Sequence, residues 1–235
     1  MSRKKNTSDT VTEKTSLVES YADSLFQVSI YSSKIASASI LIYENGRILM
    51  KKSYGYASLE LFAPLPDNGI FEIGSVTKQF TAASILKLVE AKKLSLDDDF
   101  TKYLKFDTKG RKVTIDHLLN HTSGIAGYTA LEEFWEMSIM DLPRDSLVRL
   151  VESKDFMFEP GEALMYNNSA YFFLGLLIKK ITNQSYEEYL QETFFDPLVM
   201  TSTSYSSNSA IIKNKVYGYS YTPDVLEQKT HLIHI

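Results

Sequence analysis

The sequence has no cysteine. That excludes disulfide bridges, a thiol nucleophile and thiolate metal sites, and it fits any redox compartment. A long apolar run is missing as well. The longest of note, YFFLGLLI at 171–178, falls far short of the roughly 20 residues that a membrane-crossing helix needs. The opening stretch MSRKKNTSDTVTEKTS is basic and then polar, with no apolar segment behind its charges. No secretory leader is therefore expected, and the location predicted is cytoplasmic. Nor is there a large excess of one charge: 25 Lys and Arg face 29 Asp and Glu, for a net charge of −4. The one dense basic cluster is Arg3, Lys4 and Lys5, so nucleic acid is not an expected partner.

What is present is the composition of an ordinary globular chain. The 235 residues are 44% apolar and 23% charged, with 15 Tyr and 13 Phe, enough for one large domain or two small ones with a real core. His117, His231 and His234 have no trusted partner at metal-ligand spacing, so neither a metal nor any other cofactor is expected. Asp97, Asp98 and Asp99 read as a solvated turn and helix cap.

Residues 1–14 are expected to be a disordered tail, and 15–235 the folded part. A helix is predicted over about 15–31, with Leu17, Tyr21, Leu25 (or Ser24) and Val28 on one face. SASILIYENGRILMKKSYGYAS reads as a β-hairpin turning at Asn45-Gly46, and LFAPLPDNGI as a loop. A helical stripe then runs from Ser75 to about Lys93 through Val76, Phe80, Ala83, Leu86 and Val89. VTIDHLLNHTSGI gives a further helix, capped by Thr114 and ended by Gly124. One or two helices broken at Pro143 follow, then an apolar helix after FEPGEALMYNN and another over SYEEYLQETFF. The tail beyond reads as extended or irregular. Strands at one end and mostly helix afterwards is an odd arrangement, because a lone hairpin is marginal in water.

The chemistry concentrates at FEIGSVTKQF. Ser75 and Lys78 are three positions apart at a helix start, hence on one face, with the hydroxyl in reach of the amine. Helix N-terminal charge and burial both disfavour the ammonium form, and a neutral amine beside a hydroxyl is a base beside a nucleophile. The free N–H groups of a helix start can hold an oxyanion. Ser-x-x-Lys occurs three times, at Ser2/Lys5, Ser75/Lys78 and Ser84/Lys87. The first lies in the polar tail, and the third is nine residues on, about 180° round the same helix. Only the middle pair sits at a helix start. On spacing alone, the competing reading is a Ser cap with a solvated lysine.

FEIGSVTKQFTAASILKLVEAKKLSLDDDFTKYL resembles the nucleophile segment of the class C β-lactamase-like serine hydrolases, which include β-lactamases, D-alanyl-D-alanine peptidases and esterases. VTIDHLLNHTSGI, FEPGEALMYNNSAYFFLGLLIKKIT and FFDPLVMTSTSY resemble three further segments of that family in the expected order, with Val199 where the family has glycine. The resemblance spans about residues 20–220. It implies that Ser75 is the acylated nucleophile, Lys78 its partner base, Tyr166 a proton shuttle whose phenolate Lys78 supports, and Asn168 a residue that bonds Lys78 and the substrate. It assigns His121 no catalytic part, and a structural turn residue is the better reading.

The implied fold class is α+β: a β-lactamase-like helical domain plus the N-terminal part of an antiparallel-sheet α/β domain, with the C-terminal strands and helix missing. The family's third motif, Lys/His-Thr/Ser-Gly, has no convincing counterpart, and Lys229-Thr230-His231 reads as coincidence. The function implied is a serine hydrolase acting through an acyl-enzyme on an ester, amide or β-lactam bond of a small molecule or peptide. The alternative is an impaired, truncated half-enzyme, whose uncovered hairpin would take a complementing C-terminal fragment or associate with itself.

Overall fold

The computed structural model describes residues 7–32, 34–137, 143–205, 210–222 and 225–228. The chain divides into two units, one made of residues 7–72 with 210–228 and the other of residues 73–205.

In the first unit, helix α1 (Thr7–Tyr31) precedes strands β1 (Ser37–Glu44) and β2 (Arg47–Ser58). The helix therefore takes in residues 7–14 of the expected tail, while residues 1–6 lie outside the described residues. Lys14 on this added turn reaches Glu44 at 2.5 Å. Asn45 and Gly46 have φ of 48° and 79°, the two left-handed residues that a tight hairpin turn requires. The hairpin is antiparallel, with Ser37 opposite Gly55 and a bulge between Ile42 and Tyr43. A two-residue strand, β3 (Ala63–Pro64), pairs with the far side of β2, inside the segment expected to be all loop.

α1 packs on β2. Ala22, Met50 and Tyr54 are buried there, with Val18, Phe26, Ile30, Ile40 and Ile42 around them. Asp23 accepts from Lys52 at 2.5 Å and from the Tyr54 hydroxyl at 2.7 Å. Burial and the neighbouring Asp23 carboxylate push the Tyr54 phenol up to about 12.

The tail, expected to be extended or irregular, is extended in part. Four-residue strands β4 (Tyr219–Thr222) and β5 (Val225–Gln228) form an antiparallel ribbon, which alternation too short to register in the sequence concealed. Val216 is buried with Ala57 and Leu65, and its N–H donates to the Ile70 carbonyl at 2.9 Å. Lys229-Thr230-His231 lies outside the described residues.

The second unit is helical: α2 (Lys78–Glu90), α3 (Ile115–Leu119), α4 (Glu132–Met137), α5 (Arg144–Glu152), α6 (Asn168–Thr182) and α7 (Tyr186–Leu190), the last continuing as one π-turn over Gln191–Phe195. The apolar α6 is the hub. It packs against α2, α3 and α7, and Phe173, Leu174, Leu177 and Ile178 are sealed from solvent with Ile85, Phe100, Val113, Ile115 and Leu118. Caps set the boundaries. Thr114 caps α3, Asn167 caps α6 through the Ala170 N–H, and Ser185 with Glu188 forms a capping box on α7. Asp99 caps the short turn at Phe100–Lys102.

The stop after α3 is made by His121 rather than by Gly124. His121 has φ of 60°, and the Thr122 N–H returns to the His117 carbonyl at 2.9 Å, which closes the helix end. Among the described residues, no helix is long and apolar enough to cross a membrane.

Candidate active site

Ser75 lies in a single tight helical turn, Gly74–Thr77, that runs directly into α2 at Lys78. The two side chains are one turn apart on one face, as their spacing requires. Lys78 Nζ sits 3.4 Å from Ser75 Oγ and donates to Asn168 Oδ1 at 2.7 Å. The Tyr166 hydroxyl donates to Ser75 Oγ at 2.6 Å. All four residues singled out in the sequence therefore meet in one cluster within the helical unit. The other described pair, Ser84/Lys87, does not form such a site: Ser84 is buried, and its hydroxyl bonds the Phe80 carbonyl within the helix.

Tyr166 and Asn168 precede and open α6, and a second segment holds them in place. Residues 121–128 run alongside 157–169 and are laced to them. The Met157, Gly161 and Met165 N–H groups donate to the carbonyls of Gly124, Thr122 and His121 at 2.7, 2.8 and 2.9 Å. The Asn167 N–H donates to His121 Nδ1 at 3.1 Å, and the Asn167 side chain donates to the Ile125 carbonyl. Ser169 Oγ donates to the Ala126 carbonyl at 2.7 Å and accepts from the Tyr128 N–H at 2.9 Å. At Gly124 the two segments approach closely. Its φ is +70°, and a Cβ there would stand 2.0 Å from the Phe158 carbonyl oxygen, so only glycine fits. The His-Thr-Ser-Gly stretch is thus the bed on which Tyr166 lies.

Ser75 is exposed and Lys78 half-buried. Lys78 Nζ stands 4.8 Å from the Tyr166 ring centroid and 5.4 Å from that of Tyr171, within cation–π range. Burial opposes ionisation of the Tyr166 phenol, but hydrogen bonds to Lys78 and Ser75 and the charge of Lys78 outweigh it, holding the phenol below its usual 10. Asn168 is oriented by a residue that sequence reasoning missed: its Nδ2 donates to Thr129 Oγ1 at 3.2 Å. That leaves one amide hydrogen for another acceptor. Thr129 carries no signal of its own, since it is an ordinary threonine of a single helical turn, Tyr128–Ala130, until the lacing brings it across. Among the described residues, no group of three or more His, Asp and Glu side chains is placed to hold a metal ion.

The cluster has the composition that the resemblance to the class C β-lactamase-like serine hydrolases implies. The sequence profile of the Beta-lactamase family matches residues 17–231, and the chain belongs to that family. Protein flp of Staphylococcus aureus (strain MRSA252) is 32% identical over 202 residues, covering 84% of this chain and 40% of that protein. Among solved structures, the octameric penicillin-binding protein homologue from Pyrococcus abyssi superposes with a TM-score of 0.78 at 30% identity, over 91% of this chain and 50% of that one. A class C beta-lactamase shares the fold with a TM-score of 0.77 at 23% identity, over 94% of this chain and 59% of that one. The chain thus spans between 40% and 59% of the length of these relatives.

Proposed function

We propose that Ser75 takes an acyl group from an ester, amide or β-lactam and that water then releases it. The observation that carries this reading is the 2.6 Å contact between the Tyr166 hydroxyl and Ser75 Oγ, made by a phenol whose ionisation Lys78 favours.

Between the two candidate bases, distance supports Tyr166. At 3.4 Å, Lys78 is at the limit of a useful hydrogen bond to Ser75, while Tyr166 is well inside it. Tyr166, as phenolate, accepts the Ser75 proton while Oγ attacks the carbonyl carbon. The tetrahedral intermediate collapses, the bond to the leaving oxygen or nitrogen breaks, and Tyr166 returns the proton to the departing group. Water attacks the resulting ester by the same route. Lys78 stays in place, supporting the phenolate and holding Asn168, whose remaining amide hydrogen faces the substrate's carbonyl side. Substrates are small molecules or peptides.

Intact-mass spectrometry with an activated ester and with a penicillin, beside Ser75→Ala, tests this. The expected result is a single acyl adduct on the wild type that disappears in the variant. No adduct on folded protein rejects the reading.

A second reading concerns partners. In the first unit Leu17, Tyr21, Leu41, Tyr43 and Ile48 are all more than half exposed, and among the described residues β1 is paired on one side only. Such surfaces favour a complementing C-terminal fragment or a second copy. Sedimentation across a concentration series distinguishes self-association from a lone chain.

A further inference from the structure

His121 is more elaborate than its turn needs. It occupies the left-handed position that ends α3, with φ of 60°, where glycine is the unstrained choice. The bond that closes the helix end, from the Thr122 N–H to the His117 carbonyl, involves backbone alone. The imidazole adds nothing to the stop, yet it is half-buried and fully engaged on its Nδ1 side.

What it engages is the backbone on both flanks of Tyr166. The His121 carbonyl accepts from Met165 N–H at 2.9 Å, and Nδ1 accepts from Asn167 N–H at 3.1 Å. Its ring centroid is 4.8 Å from that of Tyr166 and 5.0 Å from that of Tyr171. One residue thus fixes the chain before and after the tyrosine and walls its ring. We propose that His121 is a positioning residue that holds Tyr166 against Ser75, acting with Nδ1 unprotonated and its proton on Nε2. This rests on the acyl-transfer reading above for its consequence, though not for its geometry.

Protonation of the ring would turn Nδ1 from acceptor to donor and set it against the Asn167 N–H. The groups facing the imidazole are Lys78 from α2, Tyr166 from the loop and Tyr171 from α6. Burial, then the charge of Lys78, hold the imidazole below its usual 6.5. The clamp is therefore closed at neutral pH and opens as pH falls through that lowered value.

Two substitutions separate positioning from turn-making. His121→Gly relieves the left-handed strain and removes the acceptor. His121→Asn tolerates the same backbone and offers Oδ1 at about the reach of Nδ1. The expected result is that His121→Gly stays as stable as the wild type but acylates about 10- to 100-fold more slowly, while His121→Asn stays within about threefold. A turn-only role makes glycine at least as good as histidine, so full acylation by His121→Gly overturns the proposal. Tyrosine ¹³Cζ titration of the same proteins reads the clamp without any acylation. The Tyr166 phenol should move up towards 10 in His121→Gly and stay low in His121→Asn. If the phenol titrates identically in wild type and His121→Gly, the clamp is rejected. If the wild type forms no adduct while the titration moves as expected, the clamp stands and the acyl-transfer reading fails.

Discussion

The two units solve the problem of burying an apolar face with unequal success. In residues 73–205, Ile85, Phe100, Val113, Ile115, Leu118, Leu174, Leu177 and Ile178 are wholly sealed around α6. In the other unit, among the described residues, the buried apolar clusters are Ala22, Met50 and Tyr54 and, as a second patch, Ala57, Leu65 and Val216, while Leu17 and Tyr21 remain 67% and 71% exposed. All four residues of the candidate site belong to the well-packed unit. Their geometry depends on the close packing of helices and on a laced pair of loops, both of which are complete within that unit. A site needing placement to within about half an ångström is built where packing is dense.

The sharpest way to break this comparison uses two glycines with positive φ. Gly124→Ala meets the Phe158 carbonyl at 2.0 Å, whereas Gly46→Ala meets nothing within 4 Å. Gly124→Ala should part the two laced loops, lower the unfolding midpoint steeply and abolish adduct formation. Gly46→Ala pays only the left-handed strain, about 1 kcal/mol, and leaves acylation untouched. Denaturant titration and adduct formation on both variants check this. Core truncation comes next. Phe173→Ala, whose ring meets those of Phe100 and Phe106 at 5.5 and 5.0 Å, should cost about 3–5 kcal/mol. Met50→Ala, surrounded by half-buried neighbours, should fall near the lower bound of about 2 kcal/mol. Equal losses in the two units would erase the contrast.

The smallest effect is a gain. Val199 has φ of +54° and is 75% exposed, a β-branched residue in a conformation that crowds its Cβ. Val199→Gly should raise stability by about 1 kcal/mol, measured as a higher unfolding midpoint.

Much of this was legible in the sequence because local rules and tertiary structure agree. Asn45-Gly46 announces its hairpin, Thr114 its helix cap, and Ser75 and Lys78 face each other by helix geometry alone. Tyr166 and Asn168 could be picked out only through the family resemblance, since nothing local ties them to a serine some ninety residues earlier. His121 was legible as a turn residue, though the end of α3 itself was placed at Gly124. A turn-ending residue is normally chosen for its backbone, and a neighbouring glycine drew the boundary to itself. The acceptor on its ring exists only because residues 157–169 come alongside. The β4–β5 ribbon escaped because four-residue strands leave too little alternation to see, and the first turns of α1 because polar residues open it.

The central claim is that Tyr166, supported by Lys78, takes the proton from Ser75. The measurement that tests it most directly is the rate of Ser75 acylation against pH in the wild type and in Lys78→Met. With the Tyr166 phenol held below 10, the phenolate fraction grows as pH rises through that lowered value, so the wild-type rate should climb along the same limb. Removing the charge and hydrogen bond of Lys78 should move the same limb upward and slow acylation at neutral pH. A limb that stays where it was in Lys78→Met would contradict the account.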